Sequence, residues 1–195
     1  FLLLSPFYWI KINWLVPSYI SGFILLAYFF KRKWIRSQII ISIVIHLLIL
    51  VELTTYIVPI RSDDTWWGWE ALSEEVSELR TNYPDHFFFS TDNYKTAAVL
   101  RFYQDAPTYS TNVIGENGLQ FGILDPDLSF LEGQNAILID SDTRFKNEAA
   151  PETIPAKVIP YFKDIQILAP IILRNKQGKA IRKFNVFACM NYKKP

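Results

Sequence analysis

Residues 14–30 read WLVPSYISGFILLAYFF, a run of seventeen without one charged side chain. Nothing else in the sequence limits the fold as much, because such a run belongs in a core or a bilayer. Wound as a helix at ~1.5 Å per residue it spans about 26 Å, close to the ~30 Å of a hydrocarbon core. A second run, SQIIISIVIHLLILVELTTYIVPI at 37–60, is long enough to cross with some tilt. Between them Lys31, Arg32, Lys33 and Arg36 form a basic cluster. Phe1 to Ile10 read as the tail of an earlier span. The expectation for residues 1–60 is a membrane α-helical segment, two spans plus the tail of a third. A cleavable signal peptide fits poorly, since it places its basic residues ahead of one short apolar core.

Basic residues near span ends stay on the cytoplasmic side. That rule makes residues 31–38 a cytoplasmic loop and puts everything after Pro59 on the outer side of a plasma (inner) membrane, in a multi-pass arrangement. Trp9, Trp14 and Trp34 fall at span ends, where indoles anchor at headgroup level. Two ionisable residues, His46 and Glu52, lie inside the second run. Six positions separate them by about 240° around a helix, so they share no face and form no joint site. The expectation is a neutral His46 packed against a neighbouring helix and a Glu52 near the outer interface.

Charge divides the chain at the same place. Residues 1–60 hold five basic groups against Glu52, leaving 15 of the 20 basic and 18 of the 19 acidic residues to 61–195. From Arg61-Ser62-Asp63-Asp64 onward, apolar residues come in short packets between turn signals. Asp64 or Thr65 is expected to cap a helix with the stripe Trp69, Leu72, Val76, Leu79 and Tyr83. His86 to Phe89 reads as a strand, then a helix from about Asn93 to Gln104 capped by Thr91 or Asp92, with the inner face Ala97, Ala98, Leu100 and Tyr103. Strands are expected at Thr108–Ile114, Asn135–Asp140, Ile165–Leu173 and Ile181–Tyr192. A short helix or turn is expected at Asp125–Leu131, and a short helix broken by Pro160 at Pro155–Tyr161. Asn175 to Lys179 reads as a hairpin turn with Gly178 at a positive φ. Early βα alternation and a closing hairpin predict one α/β domain with a mixed sheet over residues 61–195, its antiparallel part at an edge.

Several chemistries are excluded. One cysteine, Cys189, and two histidines cannot make a clustered zinc site or a disulfide scaffold. Gly115, Gly118 and Gly122 fit neither phosphate-loop pattern. No G-x-S-x-G is present, and no basic–aromatic run in 61–195 suggests nucleic acid. Four features remain. Asp140-Ser141-Asp142 follows the most buried-looking strand, and ligands in α/β sheets gather at strand carboxyl ends. The segment Ser90-Thr91-Asp92-Asn93-Tyr94-Lys95 closes a strand, and its Tyr94 and Lys95 open a helix, where anions are favoured. The loop Asn112–Gln120 contains the turn-prone stretch Gly115-Glu116-Asn117-Gly118. Trp66-Trp67-Gly68-Trp69 sits beside the membrane, where Trp66 and Trp67 either stack on sugars or anchor at the interface with Trp69 in the core. Paired Asp63 and Asp64 read as helix caps.

The succession of a span, a polar break, DDTWWGWEAL, a strand, DNYKTAAVLRFY, a strand, NVIGENGLQFG and LEGQNAILIDSD resembles the C-terminal portion of bacterial family 39 glycosyltransferases, relatives of protein O-mannosyltransferases and of the aminoarabinose lipid A transferase. The carriers of the likeness are the Gly68-Trp69 helix start, Tyr94, Ala97, Ala98, Phe102 and Tyr103 in one helix, and Gly133, Asn135, Ala136 and Ile137 at a strand entry. The resemblance implies a C-type membrane fold that moves a sugar from a polyprenyl-phosphate carrier to an acceptor outside the cytoplasm, with no cofactor evident. It also places the catalytic acid in a first extracytoplasmic loop ahead of this sequence, so no residue here inherits that role. Since the chain opens Phe1-Leu2-Leu3-Leu4 and its one methionine is Met190, the expectation is a piece of a longer protein. Lys11 and Trp14 would then lie at the outer surface, where Lys11 either meets the carrier phosphate or snorkels. A membrane-anchored binding or sensing module is the alternative reading. In a third, the domain orders the acceptor or closes over the carrier site.

Overall fold

The computed structural model describes residues 16–29, 31–58, 63, 65–92 and 94–194. The chain divides into two compact units between Ile57 and Val58. In the first, helix α1 covers Val16–Phe29 and α2 covers Arg32–Thr55. At 14 residues α1 reaches about 21 Å, short of a bilayer core. Helix α2, at 24 residues and with a mean hydropathy of 2.1, is the one described helix long and apolar enough to cross a membrane. The two spans and third tail expected from sequence thus reduce, among the described residues, to one candidate span.

The basic cluster is not a loop. Arg32, Lys33 and Arg36 form the first turns of α2, and Lys31 alone stands outside as its extended N-cap. His46 and Glu52, the two ionisable residues in the apolar part of α2, are each bonded to backbone close by along the chain. His46 Nδ1 lies 2.6 Å from the Ser42 carbonyl, and Glu52 Oε2 accepts the Ile57 amide at 3.2 Å just past the helix end. Thr54 and Thr55 bond back to the carbonyls of Leu50 and Val51. Such internal pairing is what a helix in lipid requires of its polar groups. No residue of α2 is buried.

The second unit is a six-stranded mixed sheet. Its strands are β1 (His86–Phe89), β2 (Thr108–Tyr109), β3 (Asn135–Ser141), β4 (Phe162–Ile167), β5 (Ile171–Arg174) and β6 (Ala180–Tyr192), with helices α3 (Trp69–Asn82), α4 (Lys95–Gln104) and the short α5 (Gln120–Leu124). The spatial order is β2-β1-β3-β6-β4, and β5 pairs with the early part of β6. β1 is parallel to both β2 and β3, while β6 is antiparallel to β3, β4 and β5. The antiparallel part is therefore internal as well as at the edge: β6 lies between β3 and the pair β4/β5.

Alternation along the strands builds two cores. Phe88, Ile137, Ile139, Phe184, Val186 and Ala188 face α3 and α4, meeting Leu72, Val76 and Leu100. Phe87, Phe89, Ala136, Leu138, Phe187 and Cys189 face the other way, covered by Val113, Leu128, Leu131 and Val158 from the connecting segments. Each fully buried aliphatic or aromatic side chain contributes about 1.5–3 kcal/mol.

Several sequence-based boundaries move. Helix α3 starts at Trp69 behind Gly68 at φ 83°, not behind Asp64 or Thr65. The N-cap of α4 is Tyr94, with no side-chain cap bond, so neither Thr91 nor Asp92 caps it. Its inner face is Thr96, Ala97 and Leu100, an i, i+4 stripe that leaves Tyr103 outside. Strand β2 stops after two residues, because the Asn112 carboxamide takes the Ser110 amide and Thr111–Ile114 coils into a 3-10 turn. Ile165–Leu173 is two strands interrupted at Ala169-Pro170, where the missing proline donor breaks the ladder.

Candidate functional site

β1 lies between β2 and β3, and both neighbours run parallel to it. The chain leaves β1 through α4 toward β2 on one side, while β3 lies on the other. In such sheets ligands gather at the carboxyl ends of the diverging strands. The register Phe89↔Leu138 brings the segment after β1, Ser90-Thr91-Asp92, beside the end of β3, Asp140-Ser141. Two sequence features that stand 48 positions apart become one polar cluster.

Asp140 Oδ1 accepts the Thr91 amide at 2.5 Å and its Oδ2 accepts the Thr91 hydroxyl at 2.5 Å. Asp92 Oδ1 accepts the Ser90 hydroxyl at 2.5 Å, and Oδ2 accepts the Thr96 hydroxyl at 2.6 Å and the Ser141 amide at 2.7 Å. The Ser90 hydroxyl also lies 3.3 Å from Asp140 Oδ1, between the two carboxylates. Lys157 Nζ donates to the Thr91 carbonyl at 2.5 Å. From Ser141 the network continues through its hydroxyl to Asp63 Oδ1 (2.6 Å), which also pairs with Arg182 at 2.9 Å. Arg182 in turn donates to the Trp67 carbonyl at 3.0 Å and lies over the Trp69 ring, 3.8 Å from its centroid.

Electrostatics mark the carboxylate pair. Burial, and then the charge of Asp140, push the Asp92 carboxyl up to about 6, against the hydrogen bonds that favour its charged form. Asp140 is also pushed up by burial, opposed by its Thr91 bonds and by Lys157. A carboxyl poised near neutrality is able to hold and release a proton. All four oxygens, however, already accept hydrogen bonds from the protein. The pair brackets the ends of β1 and β3 and the start of α4 together.

The sequence-predicted residues fall as follows. Tyr94 and Lys95 are the N-cap and first residue of α4, two and three residues along from Asp92. Trp67 lies against the α3 side of the sheet, Trp69 is buried beneath Arg182, and Trp66 is 44% exposed. The bonds through Arg182, Asp63 and Ser141 link this tryptophan segment to the Asp92 bracket. Asp63 is thus an ion-pair partner, not a helix cap. Lys11 and Trp14, with Trp9 and Asp64, lie outside the described residues. The loop after Asn112 serves its own turns, its Thr111 hydroxyl bonding the Asn117 carbonyl, and Asn112 and Gly115 line a cavity of about 230 Å³. Among the described residues no group of His, Cys, Asp and Glu has a metal-holding arrangement.

Sequence reasoning missed Arg182 and Lys183, buried at 5% exposure each on β6. Lys183 donates to the Ala149 carbonyl at 2.6 Å and lies 3.8 Å from Asp142. The signal was present in the alternation: Arg182 shares the parity of Phe184 and Val186 and so points inward. Compared with family models, with curated proteins and with solved structures, the chain matches none.

Proposed function

We propose that this chain is the C-terminal part of a multi-pass membrane glycosyltransferase of the family 39 kind. Such an enzyme moves a sugar from a polyprenyl-phosphate carrier to a lipid, glycan or protein acceptor in the cell envelope. The observation that carries the reading is the layout around α2: a helix of 24 residues with no buried side chain and a basic first turn, followed by a mixed α/β unit. That is the order in which the resembling family ends. On this reading residues 61–195 lie outside the cytoplasm, and the catalytic acid belongs to a loop ahead of Phe1. Lys11 and Trp14 serve the carrier phosphate. Trp66, the exposed ring of its cluster, lies near the acceptor with Trp67, Tyr94 and Lys95.

The test is transfer of labelled sugar from a panel of polyprenyl-phosphate sugars. The full gene product is expected to transfer, and the 195-residue chain alone is expected not to. Transfer by the chain alone, or a full gene product with no spans ahead of Phe1, overturns the reading. The polar bracket at the carboxyl ends of β1 and β3 favours a second reading, a membrane-anchored binding or sensing module, which a start codon just before Phe1 would support.

A further inference from the structure

At the opposite ends of β1 and β3 from the carboxylate bracket lies a cavity of about 480 Å³. Sites for small molecules run from ~300 to 1,000 Å³. Its lining includes Arg80, Asp85, His86, Tyr109, Phe130 and Gln134. Three of these have hydrogen-bonding capacity that the protein leaves unused. Neither ring nitrogen of His86 has a partner, although both are shut off from bulk solvent. An unsatisfied buried polar group costs about 1–3 kcal/mol, so it calls for an explanation. Arg80 uses Nε on Gln104 (2.7 Å) and Nη2 on Thr108 (2.8 Å) and the Pro107 carbonyl, but Nη1 has no partner among the described residues. Gln134 spends its amide nitrogen on the Phe130 carbonyl at 2.7 Å, and its Oε1 is left to accept.

The character of the lining narrows the ligand. Burial lowers the His86 imidazole below its ordinary value, which keeps it neutral with one donor and one acceptor nitrogen. Arg80 and Asp85 bring one charge of each sign, so a free anion that gains from Arg80 also meets Asp85. A purely apolar ligand would leave His86, Arg80 Nη1 and Gln134 Oε1 unsatisfied. A neutral polyol uses all of them, since each hydroxyl both donates and accepts. Aromatic faces complete the pattern: Phe130 is 61% exposed, with its ring centroid 6.3 Å from that of Tyr109. The negative face of such a ring attracts the polarised C–H bonds of a pyranose.

We infer that the cavity between the end of α3, the amino ends of β1 and β3, and Phe130 binds a neutral saccharide unit. The inference does not rest on the glycosyltransferase reading, because a binding module would carry the same cavity.

The test uses the full chain in a detergent without a sugar headgroup. Glucose, mannose, galactose, N-acetylglucosamine and maltose are titrated, with the His86 ring resonances followed by NMR. At least one of these probes is expected to shift those resonances saturably at millimolar concentration. Phe130→Ala and Gln134→Ala are each expected to weaken that probe by about tenfold. Both residues are exposed enough that the fold survives their loss, which the remaining amide spectrum checks. No saturable shift with any probe, a shift indifferent to both substitutions, or a response to inorganic phosphate and to no sugar each overturns the inference.

Discussion

Replacing Asp92 with Asn should stabilise this protein at neutral pH and leave it nearly unchanged in acid. Asp92 is held at about 6 in the folded chain against an ordinary 3.8. Between those values the folded chain keeps a proton that the unfolded chain has released. Its contribution is therefore fully present below about pH 4 and is lost as pH rises through 6. Two pH units at ~1.36 kcal/mol each put the cost of ionising Asp92 in the folded state at about 3 kcal/mol. Asparagine removes that cost and keeps the geometry. Its carbonyl accepts from Thr96 and Ser141, where Asp92 Oδ2 does now, and its NH₂ donates to Ser90 once the Ser90 hydroxyl turns to Asp140. Allowing for one weakened hydrogen bond, a gain of about 1–3 kcal/mol is expected at pH 7.5. At a typical urea slope of ~1–3 kcal/mol per molar this moves the midpoint up by about 1 M. The assay is urea unfolding of the detergent-solubilised chain at pH 4.5 and 7.5, read by near-ultraviolet circular dichroism. Equal destabilisation at both pH values would refute the reasoning, because it would mean that Asp92 works as a charged acceptor.

Two further outcomes test the packing around the same unit. Gly68→Ala should cost about 1–2 kcal/mol, because Gly68 sits at φ 83° and a Cβ there would lie 3.0 Å from Leu173 Cδ1. Gly122→Ala, with nothing within 4 Å, serves as the neutral comparison in the same urea titration. The Cys189 thiol, buried on β6 and pushed up to about 12 by burial, should label with a maleimide only as fast as the domain unfolds. Labelling at the rate of a free thiol would place Cys189 outside the core.

How much of this was legible in the sequence depended on whether the signal was local. The α3 stripe, the strands around Asn135–Asp140 and Ile181–Tyr192 and the turn at Gly178 follow from periodicity and turn chemistry that a short window contains. The basic cluster was misread because Lys and Arg are good helix formers. Nothing stops α2 from starting at Arg32, and its charged first turns still satisfy the orientation rule. Strand β2 was overextended because β-branched Thr and Val suit a strand, yet the Asn112 side chain offers its own backbone a better partner.

The site shows the limit more sharply. Ser90–Asp92 and Asp140 each stood out alone, as a polar closure after an apolar strand. Their meeting depends on the parallel register of β1 against β3, set by which faces of Phe88 and Ile137 must lie under α3 and α4. Arg182 carries the same lesson from the other side. Alternation required it to point inward, but a charge pointing inward is tolerated only with a partner. That partner, Asp63, comes from the segment before α3, 119 positions away. A pairing of that kind is invisible to spacing. It becomes visible only when the sheet has placed β6 beside β3 and the ring of Trp69 beneath the guanidinium. The residues that join the tryptophan segment to the carboxylate bracket are thus the ones a linear reading is least able to find.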